Sequence, residues 1–263
     1  MALHHAELLM YPAPEPIRLA NELWLTRILE HLGHSRLDAT HLSLPELWRS
    51  PHLLLTQTCG YPLMTALRGT VRVIGRPRYE LPDASAGNHC SLILGRADDP
   101  RKQLADFRNS RAVINSEDSN SGMNLFRQRL APLHRHGQFF GSVGISGGHR
   151  ESLRWLRENH ADLAAIDSVT YAFLARHAAH EVAGLSVVAR SAVSPALPFI
   201  TVASATDAQV EVLRQVMNQA LRELPEVAQT LGLADVMAAS ERDYQVLLDY
   251  QQEAEVLGYG RLR

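Results

Sequence analysis

The residues of this chain best suited to hold a ligand lie between Arg111 and Phe126, in RAVINSEDSNSGMNLF. A short apolar run leads into Asp118, Ser119, Asn120, Ser121 and Gly122, and an apparent helix follows. Small hydroxyl and amide side chains at a helix N-terminus, beside N–H groups with no intrahelical partner, suit an anion. Ser119, Asn120 and Ser121 bring side-chain donors, and Gly122 lets the backbone come close to a ligand. Ser, Asn and Asp are also ordinary cap residues, so Ser121 read alone is equally a simple helix cap. Each helix-terminus interaction contributes only about 0.3 to 1 kcal/mol at exposed sites, whereas micromolar binding needs about 8 kcal/mol. One loop is therefore insufficient, and other elements must add donors.

Four positions elsewhere carry suitable chemistry. His149 follows Gly147-Gly148 and precedes a helix; a neutral imidazole donates to an oxyanion and a charged one attracts it, with a switch expected near pH 6.5. Asp167 follows the apolar run Leu163 to Ile166, at the carboxyl end where α/β sheets bind ligands, and is equally a cap for the helix that begins near Val169. Tyr61 sits in the polar turn after an apolar strand, where a packing role is the plainer reading, and Tyr11 ends the first strand. His134 and His136 have no accompanying metal-ligand spacing, so no metal site is expected. Cys59 and Cys90 are too few for a disulfide framework, and Cys59 has nothing in sequence to pair it with His89 or His149 as nucleophile and base.

The elements that must position these residues alternate between strand and helix. A strand near Ala6–Met10 ends in YPAPEP, and a helix with Leu19, Leu23, Ile28, Leu29 and Leu32 on its apolar side runs to Gly33. A helical stretch at 44–48, a strand at 52–55, a β-rich run at 70–76 and a strand at 90–95 follow. Further strands are expected at 113–115, near 141–143, at 161–166, 184–189 and 199–203, with a helix around 150–157. Thr206 or Asp207 should cap a helix carrying Val210, Leu213, Val216, Met217, Ala220 and Leu221 on one face. This alternation implies an α/β sheet protein.

Composition narrows the function. The 263 residues are 46% hydrophobic and 21% charged with net charge -2, an ordinary soluble balance that gives no basic field for nucleic acid. No apolar run reaches the length of a membrane span. Met1 to Tyr11 lacks the basic start, long apolar stretch and small-residue cleavage site of a secretory signal, which points to the cytoplasm, or to the periplasm if a signal is missing from the sequence.

The segments LLLTQTCGYP (Leu53–Pro62), DFRNSRAVINSEDSNSG (Asp106–Gly122), SGGHRES (Ser146–Ser152) and ADLAAIDSVTY (Ala161–Tyr171) resemble, in order and spacing, the PhnD-like substrate-binding proteins of phosphate, phosphite and phosphonate ABC importers. The resemblance covers nearly the whole chain. It implies the type 2 periplasmic-binding-protein fold, an α/β protein of two lobes joined by two crossover strands, with the ligand in the cleft between them. Residues 1–89 and 190–263 would form one lobe and 90–189 the other. The implied function is non-catalytic capture of a small phosphorus oxyanion or organophosphorus ligand without a cofactor. The implied partner is an ABC permease, or a cytoplasmic protein if the chain is a sensor or carrier.

Under the same resemblance Ser119 to Gly122 match the family's anion loop, with Asn120 in place of the more usual hydroxyl residue. Tyr61 matches a tyrosine that closes on the ligand from the opposite lobe, and His149 the histidine of a Gly-Ser-His-like element. Asp167 would accept a hydrogen from a protonated ligand or pair with an amine. The segment Pro195-Ala196-Leu197-Pro198 lacks the acid that aminophosphonate binders carry there, which favours a simpler oxyanion or an organophosphate with an apolar tail. The alternative is an enzyme on the same fold, similar to the thiamine-pyrimidine synthesis proteins, with a catalytic His or Cys.

Overall fold

The computed structural model describes residues 3–263. Residues 1 and 2, at the head of the stretch read for a secretory signal, lie outside the described residues. The chain separates into two compact units. The first takes in the chain up to Asn88 together with Pro195–Tyr244, and the second comprises His89–Ser194 and Gln245–Arg263. The expected division had put 190–263 wholly in the first lobe. The last nineteen residues instead join the second unit, because their helix, Gln245–Val256, packs on the Leu125–Leu130 helix, and the Asn124 and Arg127 side chains bond its carbonyls and those beyond it. An apolar helix face shows in sequence, but the element it will cover does not.

The first unit is built on a six-stranded mixed sheet in the order Leu233–Met237, Val71–Tyr79, Phe199–Val202, Leu53–Gln57, Leu3–Glu7, Ser35–Arg36. The Glu15–Leu32 helix lies against it and ends at Gly33, whose φ of 64° is the left-handed conformation that glycine adopts without penalty. Its buried stripe is Ile17, Ala20, Trp24, Leu25, Ile28 and Leu29, while Leu19 and Leu23, expected inside, are 48% and 57% exposed. Trp24 decides the rotation: the largest apolar side chain of the helix goes inside, and its indole N–H donates to Met217 O at 3.0 Å. The Asp207–Glu223 helix follows expectation, with Thr206 as cap, reciprocated by Gln209, and Val210, Leu213, Met217, Ala220 and Leu221 buried.

The second unit carries a five-stranded sheet in the order Leu185–Arg190, Ser91–Arg96, Leu163–Asp167, Arg111–Ile114, Ser142–Ile145. The last three of these are mutually parallel, and Ser91–Arg96 runs antiparallel to both of its neighbours. Leu92, Leu94, Val113, Ala164 and Ile166 from the sheet pack with Leu153, Leu156 and Leu174 from the helices His149–Arg157 and Ser168–His177. The parallel strands end together at Ile114, Ile145 and Asp167, so the loops that follow them gather at one edge of this unit. Among the described residues no helix is long and apolar enough to cross a membrane.

Candidate functional site

Three of those loop ends carry the residues singled out in sequence. After the Arg111–Ile114 strand the chain reaches Ser119, whose hydroxyl accepts from Gly122 N at 3.0 Å. Ser119, and not Ser121, is therefore the helix cap. The turn that follows is a wide one: Asn124 N bonds Ser119 O at 3.0 Å and Leu125 N bonds Asn120 O, both five residues back. Such π turns insert an extra residue and re-aim side chains, and they recur at functional sites.

The side chain so displaced is Ser121. Its Oγ lies 2.9 Å from His149 Nε2, and its carbonyl accepts from Ser91 Oγ at 2.8 Å. His149 opens the helix after the Ser142–Ile145 strand, in a turn tied by Ser146 Oγ to Ile114 O at 3.2 Å and to Ser152 Oγ at 2.7 Å. The residue is half-buried, yet its Nδ1 is enclosed and has no hydrogen-bond partner among the described residues. Burial pushes the imidazole pKa down to about 4, with nearby His89 acting in the same direction and Asp167 against it. His149 is thus neutral at pH 7, and the switch expected near pH 6.5 moves to acid.

Asp167 is 2% exposed and fully committed inside the protein. Its Oδ1 accepts from Val169 N at 2.8 Å and Thr170 N at 3.0 Å, which is the helix-cap reading realised, and Oδ2 lies 3.0 Å from His89 Nδ1. Burial alone would raise its pKa; the charge of His89 and its contact with Oδ2 outweigh that and hold it below the ordinary carboxylate value. Asn120 is likewise buried, its Nδ2 donating to Ser194 Oγ at 3.1 Å and its Oδ1 accepting from Asn124 Nδ2 at 3.2 Å.

Gly122 is required by a different neighbour from the one expected. A Cβ placed on it would come within 1.8 Å of Asn115 Oδ1, so the space a side chain would need is taken by Asn115. Gly122→Ala is expected to destabilise the second unit by about 1 to 3 kcal/mol through overpacking, and Asn115→Ala in the same chain to restore much of it. Urea unfolding of the single and double variants checks this; equal stability of Gly122→Ala and the parent would mean that Asn115 simply moves aside.

Six expected residues, Ser119, Asn120, Ser121, Gly122, His149 and Asp167, thus belong to one edge of the second unit. Tyr11 and Tyr61 belong to the first unit. Tyr11 lies beyond the end of its strand and is 6% exposed, edge-on to Tyr79 with ring centres 6.3 Å apart, while Tyr61 sits half-buried in the short Gly60–Met64 helix. Ser91, Asn124 and Ser194 were not singled out, and His89 was considered only as a base for Cys59. Ser91 pairs with Asp167 across antiparallel strands, a long-range register that leaves no local mark in sequence. His134 stacks on Tyr259 at 5.2 Å and bonds Leu257 O, and among the described residues no group of three or more His, Cys, Asp or Glu is arranged to hold a metal. Cys59 is half-buried and Cys90 buried, and neither forms a disulfide.

Solved structures share this fold. The binding-protein component of an ABC phosphonate transporter from Pseudomonas aeruginosa superimposes with a TM-score of 0.79 at 13% identity, covering 98% of this chain and 88% of that one. A PhnD protein from Prochlorococcus marinus in complex with methylphosphonate gives 0.74 at 12% identity, covering 96% and 98%. The aliphatic sulphonate binding protein SsuA from Escherichia coli gives 0.57 at 15% identity, covering 98% and 87%. At these identities the likeness establishes the two-lobed α/β fold of the periplasmic binding proteins. Comparison with the curated proteins returns no match. The sequence itself matches the family described as "ABC transporter, phosphonate, periplasmic substrate-binding protein" over residues 51–244, a span that includes the wide turn, His149 and Asp167. The chain belongs to the family of phosphonate ABC-transporter substrate-binding proteins.

Proposed function

We propose that this protein binds a small phosphorus oxyanion of the phosphate, phosphite or phosphonate type at the edge of the second unit that carries Ser121 and His149, for delivery to an ABC permease. The observation that carries this reading is the Ser121–His149 pair itself. A buried hydroxyl, held at 2.9 Å by an imidazole that stays neutral, is a polar contact for an anion's oxygen that brings no compensating charge. It stands in a helical turn beside N–H groups that favour anions, and within the segment matched to the family.

The same geometry speaks against nucleophilic chemistry, the alternative raised by the sequence. A hydroxyl–imidazole pair becomes a nucleophile and base when a third group orients the base and its pKa lies near the working pH. Here His149 Nδ1 has no orienting partner among the described residues, and a pKa of about 4 makes a weak base. Asp167, committed to its helix and to His89, is then a support for the site and not the partner of a ligand amine. A cytoplasmic sensor or carrier draws no support from the family, whose members are described as periplasmic.

A thermal-shift series with phosphate, phosphite, methylphosphonate, 2-aminoethylphosphonate and sulfate tests the reading. A ligand at about 100 times its dissociation constant adds about 2.7 kcal/mol, a rise of several degrees for a chain of this size. A selective rise with one of the first three is expected. A rise with sulfate alone would move the ligand class to sulfur, and no rise with any of them would remove the assignment.

A further inference from the structure

We infer that Asn124 and Arg127 set the direction in which the anion turn donates hydrogen bonds, with Asn124 acting as a positioning residue for Asn120 and Ser194. The inference rests on the oxyanion reading of that turn. Asn120, Asn124, Arg127 and Ser194 are 2%, 0%, 5% and 1% exposed, so each polar group depends on its protein partners. A hydroxyl rotates to suit whatever faces it, but a primary amide has one donor end and one acceptor end. Which end of Asn120 points outward must therefore be decided by something else.

The partners of Asn124 decide it. Arg127 Nη2 donates to Asn124 Oδ1 at 2.8 Å, and a guanidinium can only donate. Leu247 O accepts from Asn124 Nδ2 at 2.9 Å, and a backbone carbonyl can only accept. Turning the Asn124 amide over would set N–H against N–H on one side and oxygen against oxygen on the other. Its remaining amide proton faces Asn120 Oδ1 at 3.2 Å, which leaves Asn120 Nδ2 to donate to Ser194 Oγ at 3.1 Å. Ser194, having accepted, still has its own proton to donate. Arg127 is itself anchored through Nη1 on Gly260 O at 2.9 Å. The C-terminal residues that joined the second unit thus fix the polarity of the turn at both Leu247 and Gly260. The unprotonated oxygens of an oxyanion only accept, so a relay whose donors run outward from Arg127 suits them, and the reverse polarity would oppose them.

Asn124→Asp tests this with little change of shape. The introduced carboxylate still accepts from Arg127 but has no N–H, so Asn120 should turn over, donate to that carboxylate and draw the Ser194 proton onto its own oxygen. Calorimetric affinity for methylphosphonate and phosphate is expected to fall about tenfold in the parent chain and less than about twofold in an Asn120→Ala background. In ligand-free 1H–15N spectra the Asn120 side-chain amide pair should move. Equal losses in both backgrounds would mean that the added charge or a general disturbance acts directly, and would overturn the relay. Unmoved Asn120 signals would overturn it as well. If the parent binds neither probe, the oxyanion reading fails and the spectra alone judge the relay. Should Asn124→Asp not fold, Asn120→Asp reverses polarity at Ser194 while sparing Asn124; an affinity within about twofold of the parent would then refute the inference.

Discussion

Ser121→Ala is expected to weaken binding of the responsive phosphorus oxyanion by about 10- to 150-fold, the range for removing one hydrogen bond to a charged group. The substitution deletes the hydroxyl that His149 holds at 2.9 Å and leaves the Ser91 bond to the Ser121 carbonyl in place, so the turn keeps its course. It also strips His149 Nε2 of its partner, which has its own cost in stability, so calorimetry must be paired with urea unfolding. The informative experiment is the cycle with His149→Ala. If the imidazole acts by directing the Ser121 hydroxyl, the double variant should bind about as weakly as either single one, because residues sharing one network are not additive. Losses that simply add would assign the two side chains separate contacts with the ligand. Unchanged affinity for Ser121→Ala would remove the turn from the binding site altogether.

The second large effect concerns acid stability. An unfolded histidine titrates near 6.5, whereas burial brings His149 to about 4 in the folded chain. As pH falls below about 6.5 the unfolded state takes up this proton first, so stability drops with pH and has lost about 3 kcal/mol through this residue by pH 4. Above about pH 7 the group contributes no slope. Asp167 behaves differently: its depressed pKa gives stability that is present above the ordinary carboxylate value near 3.9 and is lost as pH falls through the folded value. The window between pH 6.5 and 4.5 therefore separates the two groups. Urea unfolding across that window should show a shallower decline for His149→Gln than for the parent, and parallel curves would place the imidazole in contact with water. Oxyanion affinity, by the same reasoning, should show no step from His149 between pH 8 and 6.

Much of this was legible before any coordinates. The alternation of strands with helices, the Thr206 cap and the stripe from Val210 to Leu221 are local in origin, set by period and capping chemistry. The polar turn at Ser119 to Gly122 was also visible, as small polar residues between an apolar strand and a helix, but its five-residue hydrogen bonds were not. The errors fall where a choice between neighbours was needed. Ser119 took the capping role considered for Ser121, and the long helix turned on Trp24 instead of Leu19 and Leu23, since only packing against the sheet decides which of two apolar faces goes inside.

By itself the sequence determined the family, the α/β architecture and which turn would carry the polar side chains, because these follow from short-range pattern and from motifs that keep their order along the chain. The tertiary structure alone decided how those side chains are used. It set His149 on Ser121, closed Asp167 onto His89, and brought residues 245–263 back to the second unit to anchor Asn124 and Arg127. Each of these depends on groups 28 to 133 positions apart in the chain. Burial then does what no composition can report: it moves a histidine from its ordinary pKa to about 4, and it gives a buried amide a single permitted direction.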